Sequence, residues 1–298
     1  MLRSGLKHTS MKWLFSIALM GSLSIASAAS KHAEVAEPDL KSGSVLVLDE
    51  SSAAVLLSQN ANVAAPIASI TKLMTALVVL DAKQPMDEML EITADDKDME
   101  RHSSSRLQVG TKLSRADLMH LALMASENRA AHALGRNFPG GLPAVVKAMN
   151  LKAQALGMTQ AHFVEPTGLS SDNVASPHDL AKLVVAASHH PTIREYSTDH
   201  KYAVTVRKRT MEFHNTDNLV AKSDWNIIVQ KTGYIEEAGR CLVMKAVIAG
   251  RSVVIVLLDS YGKYTRVADA KRIKVWMEAK LRNGRVAEVA QVADGSGA

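Results

Sequence analysis

The chain has 298 residues, 47% of them hydrophobic and 22% charged, with 35 Lys and Arg against 30 Asp and Glu. That length and apolar content build one large domain, or one domain with an inserted lobe, and exclude a disordered chain. Cys241 is the single cysteine, which excludes an internal disulfide.

Arg3, Lys7 and Lys12 precede an apolar run from Trp13 to Ile25 and the small-residue sequence Ala26-Ser27-Ala28. This is the order of an export signal, read here as residues 1–28, with Met11 as an alternative start. The run is short of the roughly 20 apolar residues that a spanning helix requires, so no integral membrane segment is expected after its removal. Three of the 35 basic residues lie there and none of the 30 acidic ones, which leaves 32 against 30. Charge therefore gives no case for a nucleic-acid partner.

Further along, Gly43 to Ser58 reads as two apolar strands around the turn Asp49-Glu50-Ser51-Ser52, a hairpin. Pro66 marks an extended approach to an amphipathic helix that begins at Ser69. Ser114-Arg115-Ala116-Asp117 is a capping box for a helix running toward Gly135, and Ser176-Pro177-His178-Asp179 starts another. Residues of roughly 83–190 are thus read as a helical lobe. From Tyr202 the β-branched runs YAVTV, NIIVQKTG, CLVMKAVI and SVVIVLLD return, and Thr265 to Leu281 closes with a helical pattern. Strands at both ends with helices between them imply a mainly antiparallel sheet, a separate helical lobe and a cleft between the two. The domain occupies 29–282. Residues 283–298 lack aromatic anchors or a strong apolar face and are read as a loose tail.

Ser69 and Lys72, three apart on a helix, share a face. A serine hydroxyl needs an adjacent base to act as a nucleophile, and a lysine serves as that base only where burial or another cation lowers its pKa. The spacing alone is weak: about one such pair is expected by chance, and Ser4 with Lys7 and Ser260 with Lys263 also match. A helix-capping serine followed by a surface lysine is the structural alternative. Two further motifs follow in order. Ser126-Glu127-Asn128 lies late on the helix capped by Ser114, and Lys231-Thr232-Gly233 lies at the end of a strand.

Together these motifs resemble the active-site serine enzymes that bind penicillin. The segments HSSSRLQVGTKLSRADLMHLALMASENRAAHAL, EPTGLSSDNVASPHDLAKL, FHNTDNL and KTGYIEEAGRCLV are similar to the low-molecular-mass penicillin-binding proteins, the D-alanyl-D-alanine endopeptidases and carboxypeptidases, with the periplasmic endopeptidase branch the best match. The resemblance implies an α/β (α+β) fold of the serine β-lactamase and DD-peptidase type, with a five-stranded antiparallel sheet flanked by helices and an inserted all-helical lobe. It also implies Ser69 as nucleophile, Lys72 as general base with Lys231 helping to lower its pKa, and Ser126 as proton relay to the leaving amine. Asn128, Lys231, Thr232 and Gly233 would bind substrate, and the backbone N–H groups of Ser69 and Tyr234 would form the oxyanion hole. Arg266 matches the position that holds a substrate carboxylate, a solvated arginine at a helix start being the alternative; Arg240 is a weaker candidate.

Ser171-Asp172-Asn173 fits the literal middle motif better, but it lies in a polar stretch between turn signals and is assigned to a loop. Glu165 lacks the Leu and Asn that a class A β-lactamase places after its deacylating glutamate, and is assigned to a turn, so rapid β-lactam turnover is not expected. The loop His102-Ser103-Ser104-Ser105-Arg106 either lines the cleft or is a polar turn of the lobe. Cys241 is read as a small apolar filler. The histidines show no metal-ligand spacing, and neither metal nor cofactor is expected. The expected partners are peptidoglycan stems and cross-links, with β-lactams as covalent inhibitors. Endopeptidase activity in the periplasm, by a soluble or loosely membrane-associated protein, is the leading reading. Carboxypeptidase trimming and a wall-binding scaffold with negligible turnover are the alternatives.

Overall fold

Five strands carry the molecule. In this computed structural model residues 35–206 and 209–295 are described, with side chains to 283. The export signal expected at residues 1–28 lies outside them. Strands β1 (Ser42–Asp49) and β2 (Ala54–Gln59) form the expected hairpin. The short β3 (Ala65–Pro66) leads through a 3-10 turn, Ala68–Ile70, into α1 (Thr71–Asp81). Then come β4 (Met89–Glu91), β5 (Lys112–Ser114), α2 (Arg115–Met124), α3 (Asn128–Arg136), α4 (Gly141–Ala155), β6 (Val174–Ala175), α5 (Pro177–Ser188) and α6 (Pro191–Thr198). The chain closes with β7 (Lys201–Val206), β8 (Arg209–His214), β9 (Asn226–Ile235), β10 (Gly239–Ile248), β11 (Arg251–Ser260) and α7 (Thr265–Gly295).

The main sheet has the order β2-β1-β11-β10-β9, antiparallel throughout. Both of its faces are covered. Leu46, Val254 and Val256 point into the core shared with α1 and α5, whereas Val45, Val47, Ile255 and Leu257 pack with Ile273 and Trp276 of α7. A strand covered on both faces has no polar side, which is why SVVIVLLD reads as an unbroken apolar run. Strand β9 is left at the edge of the sheet, with one row of backbone groups unclaimed by a neighbouring strand.

Helix α1 is buried from Thr71 through Val79, so it is a central helix rather than the amphipathic one expected. Ser114 and Ser176 cap α2 and α5 through the backbone N–H groups of Asp117 and Asp179, as their sequences require. Four further expectations need correction. The lobe is not all helical, since β4 and β5 pair as a ribbon at its base. Helix α5 packs on the main sheet, so the lobe's helices end with α4. YAVTV forms a separate hairpin, β7 with β8, because its outer positions are exposed and only Val204 is fully buried. Finally, α7 continues to Gly295 where a loose tail was expected after 282, because residues 285–294 are Arg, Val, Ala, Glu, Gln and Asp without proline.

Candidate active site

The nucleophile motif is delivered by strained backbone. Ala68 has φ +47°, the left-handed region that a residue with a Cβ avoids. It is held there by close packing: a Cβ on Gly168 (φ +80°) would stand 1.9 Å from the Ala68 carbonyl oxygen. On the opposite side, a Cβ on Gly233 would meet the Ile67 carbonyl oxygen and the Ser69 nitrogen at 3.1 Å each. Gly233 therefore lets the edge strand β9 pass directly beside the Ser69 N–H. Tyr234, the next residue of β9, follows directly after this contact.

One helical turn after Ser69, Lys72 is 1% exposed. Its Nζ lies 2.8 Å from Ser69 Oγ, 2.8 Å from Asn128 Oδ1 and 2.6 Å from the Thr167 carbonyl oxygen. Burial lowers its pKa to about 8, against the opposing pull of Glu165 and Glu127. On the order of one Lys72 in ten is then a neutral amine at pH 7. Desolvation, rather than the expected charge of Lys231, is the main cause of the lowered pKa. Lys231 is itself fully buried and lies well below its ordinary value, first through burial and then through the charge of Lys72.

Ser126 does not lie on the helix begun at Ser114. Helix α2 ends at Met124, and Ser126 occupies the break before α3 with φ +59°. The break lets Ser126 Oγ accept from Lys231 Nζ at 2.9 Å while Asn128, the first residue of α3, reaches Lys72. Lys231 also donates to the Thr232 carbonyl at 2.8 Å. Two lysine and serine pairs thus meet in one pocket.

Further neighbours complete the site, Thr216 and the Thr167 carbonyl among them not singled out from sequence. Thr216 Oγ1 is 2.6 Å from Thr232 Oγ1, and its N–H donates to the Met124 carbonyl, which ties the segment after β8 to the site. Ser103 accepts from Asn128 Nδ2 at 3.0 Å and Ser105 donates to Glu127 Oε1 at 2.5 Å, so the serine-rich loop lines the cleft. The Thr167 carbonyl is a ligand that no side-chain motif announces. Arg266 lies close enough to Lys231 to depress its pKa, but its Nη1 donates to the Lys263 carbonyl, and its Nε has no partner among the described residues. Arg240 stacks on the Tyr234 ring at 4.5 Å.

The literal Ser171-Asp172-Asn173 motif is a loop, and its buried Asn173 is structural. Asn173 Oδ1 accepts from the Val164 and Glu165 N–H groups, and Nδ2 donates to Thr71 Oγ1 and the Glu165 carbonyl. Glu165 is tied down in the same turn, accepting from the backbone N–H groups of Thr167 and Gly168 and from Thr167 Oγ1. Cys241 is buried and its thiol is pushed up to about 12 by burial, which suits a filler.

The D-alanyl-D-alanine carboxypeptidase family matches residues 31–262 of this sequence. The chain belongs to that family. D-alanyl-D-alanine endopeptidases of Pseudomonas aeruginosa and Escherichia coli are similar to it, at 47% identity over 88% of this chain and 87% of the relative and at 43% over 89% and 87%. The crystal structure of a Streptomyces DD-transpeptidase superposes with a TM-score of 0.76 at 27% identity, covering 82% of this chain and 99% of the other. As a member of the family the protein is a serine hydrolase, and its α+β architecture with the five-stranded antiparallel sheet is the family's fold.

Proposed function

We propose that the protein is a D-alanyl-D-alanine endopeptidase that opens peptidoglycan cross-links through an acyl-enzyme on Ser69. The observation that carries this reading is a fully buried lysine amine 2.8 Å from the Ser69 hydroxyl. Neutral Lys72 takes the Ser69 proton as Oγ attacks the D-alanine carbonyl carbon, and the oxyanion faces the backbone N–H groups of Ser69 and Tyr234. The C–N bond then breaks. Ser126, bonded to Lys231, relays the proton held by Lys72 to the departing amine, which leaves Lys72 neutral again. Water next adds to the ester with Lys72 taking its proton, and Ser69 leaves with that proton restored. Asn128, Thr232 and Gly233 border the edge strand along which an extended peptide is held by backbone hydrogen bonds.

The names of the relatives at 43 and 47% identity favour the endopeptidase over the carboxypeptidase. Export to the periplasm follows from the signal-like first 28 residues. Among the described residues no helix is long and apolar enough to cross a membrane. β-Lactams acylate Ser69 in this reading and leave slowly, because Glu165 is committed to its turn. Digestion of cross-linked muropeptides followed by chromatography tests the reading. Release of monomers supports it; loss of terminal D-alanine with cross-links intact assigns the carboxypeptidase, and bound but uncleaved polymer assigns a scaffold.

A further inference from the structure

Between the end of the serine-rich loop and the β7–β8 hairpin lies a cavity that the reaction above does not use. The hairpin register sets Val206 opposite Arg209, Val204 opposite Met211 and Tyr202 opposite Phe213. Side chains alternate along a strand, so Arg209, Met211 and the buried Phe213 share one face, and a guanidinium stands in an otherwise apolar row. Arg106, Gln108 and Thr111 face this row across a cavity of about 570 Å³. Arg106 is fixed in place, donating from Nη1 to the Glu212 carbonyl at 2.6 Å and stacking on the Phe213 ring at 4.5 Å. Thr111 is 1% exposed, and its hydroxyl has no hydrogen-bond partner among the described residues. Buried hydroxyls are ordinarily paired, so an unpaired one in a cavity wall marks a place for a ligand atom.

Both walls of the cavity continue into the catalytic site. Ser105, next to Arg106, bonds to Glu127, and Ser103 bonds to Asn128. On the hairpin side, Thr216 follows β8 by two residues and touches Thr232. Ser126, adjacent in the chain to Glu127 and bonded to Lys231, is the group that protonates the leaving nitrogen. Whatever lies beyond that nitrogen therefore starts here.

We infer that this cavity is the subsite for the departing stem peptide of a cross-link, with a stem carboxylate held by Arg106 and Arg209 and the aliphatic portion laid on Val206 and Met211. The inference rests on the endopeptidase reading and deepens it. A planar carboxylate between two guanidinium groups is matched in charge and geometry, and the Thr111 hydroxyl supplies a further donor. Length makes the subsite selective. One departing D-alanine spans about 3.5 Å, whereas a stem of four residues reaches about 14 Å, and Arg106 lies one residue beyond Ser105, which bonds Glu127, the neighbour of Ser126. Only the product of cross-link cleavage is long enough to fill the cavity.

Steady-state kinetics of the full chain on a cross-linked muropeptide dimer and on a monomeric pentapeptide stem test the inference, with fluorescent penicillin acylation as the reference for an intact nucleophile. Arg209→Glu is expected to raise KM for the dimer about 10-fold or more while penicillin acylation and pentapeptide cleavage stay within about two-fold. Arg209→Lys recovers part of the loss, and Arg106→Gln shows the same substrate selectivity. Equal losses on all three substrates, or no change on the dimer, overturn the subsite. A wild-type chain that acylates with penicillin but leaves the dimer intact overturns the endopeptidase reading itself, and the subsite with it.

Discussion

The carbonyl oxygen of Ala68 occupies the space that a Cβ on Gly168 would need, 1.9 Å away, so the residue preceding Ser69 is braced by a loop distant in sequence. Both contacting groups are backbone and neither yields easily. Gly168→Ala is expected to cost about 3 kcal/mol or more, since the added methyl overlaps backbone and φ +80° disfavours a side chain. Thermal denaturation together with penicillin labelling measures this, and an unchanged Tm with full labelling refutes the bracing.

Acylation is expected to rise with pH and level off above about 8, the value to which burial brings Lys72. Only the neutral amine accepts the Ser69 proton, so the limb ascends. Stability carries the same sign. The folded pKa lies below the ordinary 10.5, so the unfolded chain holds the extra proton between about pH 8 and 10.5, and the cost of burying Lys72 falls across that window. Stopped-flow penicillin acylation between about pH 6 and 9 reads the limb, and a flat profile removes Lys72 as the base.

Glu165→Gln separates a turn-holding carboxylate from a deacylating one. Glu165 opposes the fall of the Lys72 pKa, so its neutral replacement is expected to move the acylation limb to lower pH. Release of the penicilloyl group stays slow in both proteins. A Glu165→Gln protein that retains its adduct far longer than wild type would mark Glu165 as a general base.

Asn173→Ala removes an acceptor for two backbone N–H groups and a donor to Thr71 and Glu165 in a fully buried place. Stranding those groups is expected to cost about 2–4 kcal/mol. Urea denaturation is the check, and a loss below about 1 kcal/mol would show that water replaces the amide.

Thr216→Val keeps the shape of the side chain but deletes the hydroxyl that meets Thr232 Oγ1 at 2.6 Å. KM for a peptide substrate is expected to rise about 10-fold with little change in Tm, because Thr232 loses the partner that orients it toward the substrate. Equal KM values for the two proteins would assign Thr216 to packing alone.

Much of this was legible in the sequence because the periods are local. SVVIVLLD and CLVMKAVI announce strands covered on both faces, and Ser114 and Ser176 announce helix starts through their own hydroxyls. The break at Ser126 was not legible, since an apolar helical pattern runs on both sides of it and only a φ of +59° reveals the turn. Thr216 and the Thr167 carbonyl escaped for a related reason. Each acts on a group far away along the chain, and a carbonyl carries no residue identity.

The sequence by itself determined the three motifs, the order of strands and helices, and the kind of nucleophile, because residue type and short spacing carry that chemistry. Tertiary structure alone decided that Lys72 is fit to serve as a base. The drop to about 8 follows from burial on all sides, which brings Asn128 and Thr167 onto one amine from separate elements, and no local pattern encodes that enclosure.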